Sequence, residues 1–448
     1  MKHVLDTDNI SKILLKMSLP AIIGMVFMAL YNIVDTIFVG KGVGALGIAG
    51  IAIVFPIQMI TMSVGQMLGI GGASLVSRSL GNKNIKKANI TLGNVIITIL
   101  FLSAPITILG TIYIDKLLLL FGSTATIIPY AKAYMGIVIL AAPLVGISMA
   151  LNNMLRADGK AKIAMFTMII GGLTNVVLDA IFIFGFKMGI QGAAWATFIS
   201  HIVTSSFLFY YILARKSSLT IKLKYLRPNI NIQKEILGIG IAVFIRQAAG
   251  SILIAVMNKT LSVYGGDLAI AAFGILFRLV MLTTTPMIGI AQGVQPVAGF
   301  NFGAKKYGKT KEAIKIATIW ATIAGCIGFI VLFTFARLFM SAFTNDIQVI
   351  KIGTDALRII ILAIPIVGFQ IIGSSIFQAL GKILPAFVLS LSRQVLFLIP
   401  LVLILPHYYH LSGIWGAFPI ADILSAILTF LMLRPLWKKL SINKNNNL

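Results

Sequence analysis

The chain has 448 residues, of which 58% are hydrophobic and 11% are charged, and its mean hydropathy is +1.00. Apolar runs longer than about 18 residues recur from end to end, which indicates a polytopic membrane protein and excludes an ordinary soluble globule. The single cysteine, Cys326, excludes a disulfide framework and a thiolate metal cluster.

Taken in chain order, the hydropathy pattern predicts an all-α integral membrane protein with twelve transmembrane helices. The first six form a predicted N-terminal lobe at 1–213, and the last six a C-terminal lobe at 236–448. The segment between them, 214–235, is rich in Lys and Arg and is predicted to be a basic cytoplasmic linker. The predicted spans are 14–40, 46–77, 91–114, 130–155, 161–186, 190–213, 236–263, 268–300, 313–340, 353–380, 384–406 and 411–436.

Lys and Arg are divided unevenly between the two sides of these spans. With both termini on one side, that side holds 26 of them and the opposite side holds five. The positive-inside rule then places both termini in the cytoplasm of a multi-pass cell-membrane protein. The net charge of +25 is therefore explained mainly by topology. Attraction to membrane lipid headgroups is a secondary effect, and no nucleic-acid partner is expected.

The two halves of the chain resemble each other. A shift of 222 residues aligns the second to fourth spans without a gap, and it pairs Gly81 with Gly303 and Lys83 with Lys305. This pattern indicates an internal repeat. Because each copy has an even number of spans, the copies are predicted to be related by a pseudo-twofold along the membrane normal, as in alternating-access transporters.

The first span carries an acid, Asp35, within an apolar segment, and the fifth carries a second, Asp179. Charged side chains at such a depth are costly and usually mark ion or proton pathways. Counting from the span ends places Asp35, Asp179 and Thr197 about 8 to 11 Å below the outer boundary. Tyr31 precedes Asp35 by one helical turn, and Asn175 precedes Asp179 likewise.

These five residues predict a cation-coupling site. Two adjacent acids cannot both be ionised cheaply in a low dielectric, so they should hold either a proton or a cation between them. The oxygens of Asp35, Asn175, Asp179 and Thr197 are hard donors that suit sodium, and they serve a proton relay equally well. A purely structural link between the fifth and sixth spans fits the same residues.

Other polar residues give weaker signals. Pro20 is predicted to kink the first span, because proline removes a helical hydrogen bond. Arg278 and Asp422 form a candidate ion pair, and the four histidines, including His201, are interpreted as lying at or near span boundaries. The candidate substrate-cavity residues are Gln58, Gln66, Gln247, Arg278 and Gln292.

Together these features resemble the multidrug and toxic compound extrusion (MATE) family, nearest to its DinF and MepA branch. The resemblance covers the whole chain and is carried by Ser18-Leu19-Pro20, Asp35-Thr36-Ile37-Phe38-Val39-Gly40, Gly81-Asn82-Lys83, Asn175 with Asp179, and the two-times-six layout. It implies that Asp35, Asn175, Asp179 and Thr197 form the cation site, with Tyr31 and Pro20 matching the family's tyrosine and bending proline on the first helix. Met257 and Gln370 stand where the NorM branch has acids in its second lobe, so a cation site there is not expected.

The leading functional hypothesis is a monomeric antiporter without a cofactor that exports organic cations and amphipathic drugs, driven by protons or sodium. The alternative is a flippase of a lipid-linked precursor, for which Arg246, Lys259 and Arg278 would bind pyrophosphate. No motif of a membrane-embedded enzyme is present in the sequence, so no enzymatic activity is expected.

Overall fold

The computed structural model describes residues 3–445, and every regular element in this range is helical. Side chains are described except at Ala45 and at 442–445. The α-helices are α1 Ile10–Gly42, α2 Ala45–Gly81, α3 Ile85–Ile112, α4 Ile114–Leu120, α5 Ile128–Val138, α6 Ala142–Ala157, α7 Ala161–Asp179, α8 Ile190–Leu213, α9 Ile230–Tyr264, α10 Gly266–Gly303, α11 Tyr307–Thr334, α12 Ala336–Ser341, α13 Ile347–Ile360, α14 Ile364–Ala379, α15 Ile383–Leu391, α16 Ile399–Ile404 and α17 Pro406–Asn445.

Twelve helical segments within residues 3–445 are long and apolar enough to cross a membrane, which confirms the predicted span count. Several are composite. The fourth span joins α5 and α6 through a 3₁₀ turn, and the fifth continues from α7 into a π-helical turn at Ala180–Gly185. A second π-helical turn, Ser392–Leu398, lies between α15 and α16. The last helix, α17, is broken at His410, whose φ is 47°.

The chain divides into two compact units. We call Ile23–Phe244 the N-unit, and Met1–Ile22 together with Ile245–Leu448 the C-unit. The divisions fall within α1 and α9 instead of at the ends of the basic linker predicted at 214–235. Pro20 therefore belongs to the C-unit, and Asp35 belongs to the N-unit.

Within the N-unit, α2 and α6 pack at close range because glycines remove the side chains between them. A Cβ atom built on Gly65 would lie 2.9 Å from the Cα of Gly146. One built on Gly69 would lie 2.9 Å from the Cα of Ala150. Small residues at helical spacing permit such backbone approach in membrane bundles.

The linker is a docked segment of the N-unit. Asn94 of α3, which is fully buried, accepts a hydrogen bond from the backbone N–H of Asn229 at 2.7 Å. The same side chain donates to the carbonyl of Arg227 at 3.3 Å. Asn89, also of α3, accepts from the backbone N–H of Thr220 at 2.8 Å. Two asparagines of one helix therefore hold the linker backbone at two places, at Thr220 and at Arg227 with Asn229.

Within the C-unit, the start of α1 lies along α10. A Cβ atom on Gly289 would lie 3.1 Å from the Cα of Ile22, and one on Gly293 would lie 2.7 Å from the Cα of Ser18. A glycine also allows α14 to pack closely on α11, because a Cβ atom on Gly368 would lie 2.6 Å from the carbonyl oxygen of Ala321.

The C-unit also contains a buried ion pair, and the basic partner predicted for its acid was wrong. Asp422, with 1% of its side chain exposed, pairs with Arg393 through both Nε and Nη2, and the Nη2–Oδ2 distance is 3.4 Å. Arg278, the expected partner, is exposed on α10. Arg393 lies in the π-helical turn after α15, where the side-chain register departs from the 3.6-residue period, so spacing arguments did not find it.

Candidate functional site

In the N-unit, α1 runs along α7 in direct contact over several turns. A Cβ atom on Gly24 would lie 2.8 Å from the sulfur of Met168. Two turns farther along α1, the ring of Tyr31 lies against Gly172 of α7, with Cδ1 2.9 Å from where a Cβ atom would be. At the far end Phe38 makes an edge-to-face contact with Phe184, at 5.5 Å between ring centroids. Glycine on each helix makes room for the side chains of the other.

This contact brings Asp35 of α1 and Asp179 of α7 together. Their side chains lie within hydrogen-bonding reach of each other. Asp179 is fully buried, and within the described residues no protein donor binds either of its carboxylate oxygens. Two ionised carboxylates can only accept hydrogen bonds. In a low dielectric, a proton or a cation lowers the cost of holding two carboxyl groups close together.

Asn175 and Thr197 supply further oxygen and nitrogen groups beside the pair. Asn175, which is buried, donates from Nδ2 to the hydroxyl of Thr197 at 3.5 Å and so links α7 to α8. Asp179 follows Asn175 by one turn and is the last residue of α7 before the π-helical turn. Such turns are frequent at functional sites, because they redirect side chains within a continuous helix.

The buried hydroxyl of Tyr134 on α5 belongs to the same cluster. Its surroundings include Thr197 and Gln58, and both Asp35 and Asp179 are close enough to interact with it electrostatically. Tyr134 is not among the residues predicted from the sequence, because a tyrosine near the start of a membrane helix is commonly an interfacial residue. No spacing within α5 relates Tyr134 to the acids, so only the packing of α5 on α8 reveals it.

The remaining predicted residues are dispersed. Pro20 is buried within α1, which stays helical through it. Gln58 lines a cavity in the N-unit, whereas Gln66 accepts a hydrogen bond from Asn153 at 3.1 Å. In the C-unit, Gln247 and Gln292 are half-buried and Arg278 is exposed.

His201 was expected near a span boundary, and that expectation is wrong. It lies midway along α8, four residues after Thr197, and lines the same N-unit cavity as Gln58. The signal was available in the sequence, because residues four apart share one face of a helix.

Known proteins resemble this chain over nearly its whole length. The sequence profile of the MatE family matches residues 20–181 and 242–404, so the second match starts 222 residues after the first, as the predicted repeat requires. The multidrug export protein MepA of Staphylococcus saprophyticus is 27% identical over 442 residues, which cover 99% of this chain and 97% of the relative.

Two solved structures extend the likeness to the fold. The MATE multidrug transporter DinF-BH, solved as a complex, is 41% identical, with a TM-score of 0.89 and coverage of 96% of each chain. A MATE protein solved in a bent conformation is 28% identical, with a TM-score of 0.92 and coverage of 98% of each chain. The chain therefore belongs to the MatE family of membrane transporters.

Proposed function

We propose that the chain is an antiporter that exports organic cations and amphipathic drugs by alternating access, driven by inward movement of protons or sodium. The observation that carries the proposal is the contact between Asp35 and Asp179 inside an apolar bundle. Buried acids without a basic partner mark ion pathways in membranes. The names of the relatives, a multidrug export protein and a multidrug transporter, support the substrate class.

The coupling ion binds at the acid pair. Asp35 and Asp179 provide the charge, and the oxygens of Asn175 and Thr197 complete a hard donor set for sodium. When a proton is the ion, one carboxyl holds it and donates to the other. Tyr31 packs against Gly172 and fixes the spacing of α1 and α7 beside the pair.

Occupancy of the site controls the shape of α1. With the pair neutralised, the electrostatic cost of bringing the two carboxyl groups close is removed, and α1 bends at Pro20, where a backbone hydrogen bond is missing. The bend expels substrate outward. A related protein adopts a conformation described as bent, which supports this step.

The distribution of Lys and Arg supports cytoplasmic termini and a cell-membrane location. In that orientation, a cation that enters from outside approaches the acids from the less basic side. In this proposal the protein acts as a monomer and needs no cofactor, because every group that takes part in ion binding belongs to one unit of one chain.

Transport in vesicles tests the proposal. The purified chain is reconstituted into liposomes, proton and sodium gradients are imposed separately, and movement of a fluorescent cationic dye is followed. We expect one gradient to drive dye accumulation against its own gradient. Failure of both gradients to drive any dye would overturn the proposal, and translocation of a labelled lipid pyrophosphate instead would favour the flippase alternative.

A further inference from the structure

The linker docks on α3 where the sequence predicts that the membrane begins. Its backbone is held at one place by Asn89 and at another by Asn94. Between these places the carbonyl oxygen of Tyr225 would lie only 2.1 Å from a Cβ atom built on Gly93, so the linker backbone rests directly on α3. The predicted third span starts at residue 91, between the two asparagines. The linker therefore lies fixed at the level of the predicted membrane surface.

One part of the docked linker faces away from α3. The 3₁₀ turn Leu223–Tyr225 is closed by a hydrogen bond from the backbone N–H of Tyr225 to the carbonyl of Lys222, at 2.8 Å. The side chain of Leu223 is 86% exposed, and Lys222 and Lys224 on either side of it are exposed as well. We call these three residues the linker turn. An apolar side chain between two lysines suits a membrane surface, because the apolar group can enter the acyl boundary while the ammonium groups stay at the headgroups.

The positive charge around the linker turn is not neutralised by the protein. The segment 214–234 contains six Lys and Arg and no Asp or Glu. Glu235, which follows it, pairs with two basic residues of α2 and α3. Asp158 is buried and accepts hydrogen bonds from the start of the linker. Among the described residues, no acid pairs with Lys222 or Lys224. Clusters of about four to eight Lys or Arg beside a membrane helix attract anionic headgroups.

We propose that the linker turn is a binding surface for anionic phospholipids of the adjoining leaflet. The ammonium groups of Lys222 and Lys224 contact headgroup phosphates, and Leu223 enters the boundary between headgroups and acyl chains. A lipid is favoured over a soluble phosphate, because Leu223 gains apolar burial only from a lipid. The surface is distinct from the acid pair, so the inference goes beyond the proposed antiport and does not depend on it.

Lipid quenching tests this surface in the full chain. Leu223→Cys is combined with Cys326→Ser, labelled with a small apolar fluorophore and reconstituted into phosphatidylcholine nanodiscs. Equal small fractions of spin-labelled phosphatidylglycerol or spin-labelled phosphatidylcholine are then added, and the ratio of quenching gives the local enrichment of the anionic lipid. A basic side chain at a membrane surface contributes about 5-fold to such attraction. We expect an enrichment of at least about 5-fold at low salt, and almost none in about 1 M salt, where charges are screened within about 3 Å.

Two matched variants separate the linker turn from the general charge of the protein. Lys222→Gln with Lys224→Gln removes two charges and keeps side chains of similar polarity, and the enrichment should fall below about 2-fold. Lys438→Gln with Lys439→Gln removes two exposed charges at the end of α17 and should keep the full enrichment. A fluorophore on Ile347→Cys, an exposed apolar position after Asp346, should be quenched equally by both lipids.

The unlabelled wild-type protein provides a second measurement. Trypsin should cut after Lys222 and Lys224 more slowly in nanodiscs that contain phosphatidylglycerol than in phosphatidylcholine alone, because bound headgroups cover both lysines. Equal quenching by the two lipids at position 223, or an enrichment that persists in the Lys222 and Lys224 variant, would overturn the proposal. An absence of quenching by either lipid would also overturn it, since Leu223 would then lie away from the membrane.

Discussion

The ring of Tyr31 in α1 lies directly on Gly172 of α7, where a Cβ atom would be only 2.9 Å from Tyr31 Cδ1. Contacts this short are essentially absent between real side chains, so the two helices can approach at this point only because residue 172 is glycine. Gly172 precedes Asn175 by one turn of α7 and Asp179 by two. The contact therefore limits the separation of α1 and α7 at a point one turn from Asp35 and two turns from Asp179.

Gly172→Ala should separate these helices. Overpacking costs about 1–3 kcal/mol, and the gain of about 1 kcal/mol in helix propensity offsets only part of it. We expect reduced dye efflux and a slightly lower unfolding temperature in detergent. The control is Gly136→Ala in α5, where a Cβ atom meets nothing within 4 Å. Wild-type efflux by Gly172→Ala would show that the close contact is not needed.

Pro20→Ala should stiffen α1. Alanine supplies the backbone N–H that proline lacks, so the helix gains a hydrogen bond and bends less readily. Dye binding should persist while gradient-driven efflux falls several-fold. Pro105→Ala, which also removes a proline from inside a membrane helix, serves as the control. Equal efflux by the two variants would remove bending at Pro20 from the mechanism.

Asp422→Asn should destabilise the C-unit. Removing one partner of a buried ion pair leaves the other charge uncompensated, at a cost of about 3–5 kcal/mol. Thermal unfolding in detergent should show a clear decrease for this variant. Asp355→Asn, which changes an exposed acid of the same unit, should leave unfolding unaltered. A stable Asp422→Asn protein would mean that Arg393 finds another partner.

Asn94→Ala should release the linker from α3. The buried amide of Asn94 holds the backbone at Arg227 and Asn229, so its loss leaves both groups without that partner. Limited trypsin digestion should then cut faster at the basic residues of 222–227 than in the wild-type protein. Asn82→Ala, at an exposed position, is the control. Equal digestion rates would show that other contacts hold the linker.

The sequence was sufficient to predict the helices and the closeness of Asp35 and Asp179, because both depend on strong local signals. Twelve long apolar runs specify twelve spans, and an acid within such a run is rare enough to mark a site. Because Asp35 and Asp179 are predicted at similar depths below the outer membrane boundary, they are expected to lie in one layer. The repeat supported this, since Met257 takes the place of Asp35 in the second copy.

The residues that the sequence did not reveal depend on how helices pack. Tyr134 lies near the acids only because α5 contacts α8. Arg393 reaches Asp422 from a π-helical turn that hydropathy cannot show. The linker looked like a solvated basic segment, although Asn89 and Asn94 hold its backbone on α3. In each case the deciding contact joins residues from different helices or loops.

The proposed coupling site is tested most directly by neutralising its acids singly and together. Dye efflux driven by the coupling gradient is compared for Asp35→Asn, Asp179→Asn and the double variant. Asp115→Asn, which affects an exposed pair with Lys132, is the control. Residues that act as one unit lose function non-additively, so each single change should abolish gradient-driven efflux and the double should be no worse. Wild-type gradient-driven efflux in either single variant would contradict a coupling role for the pair.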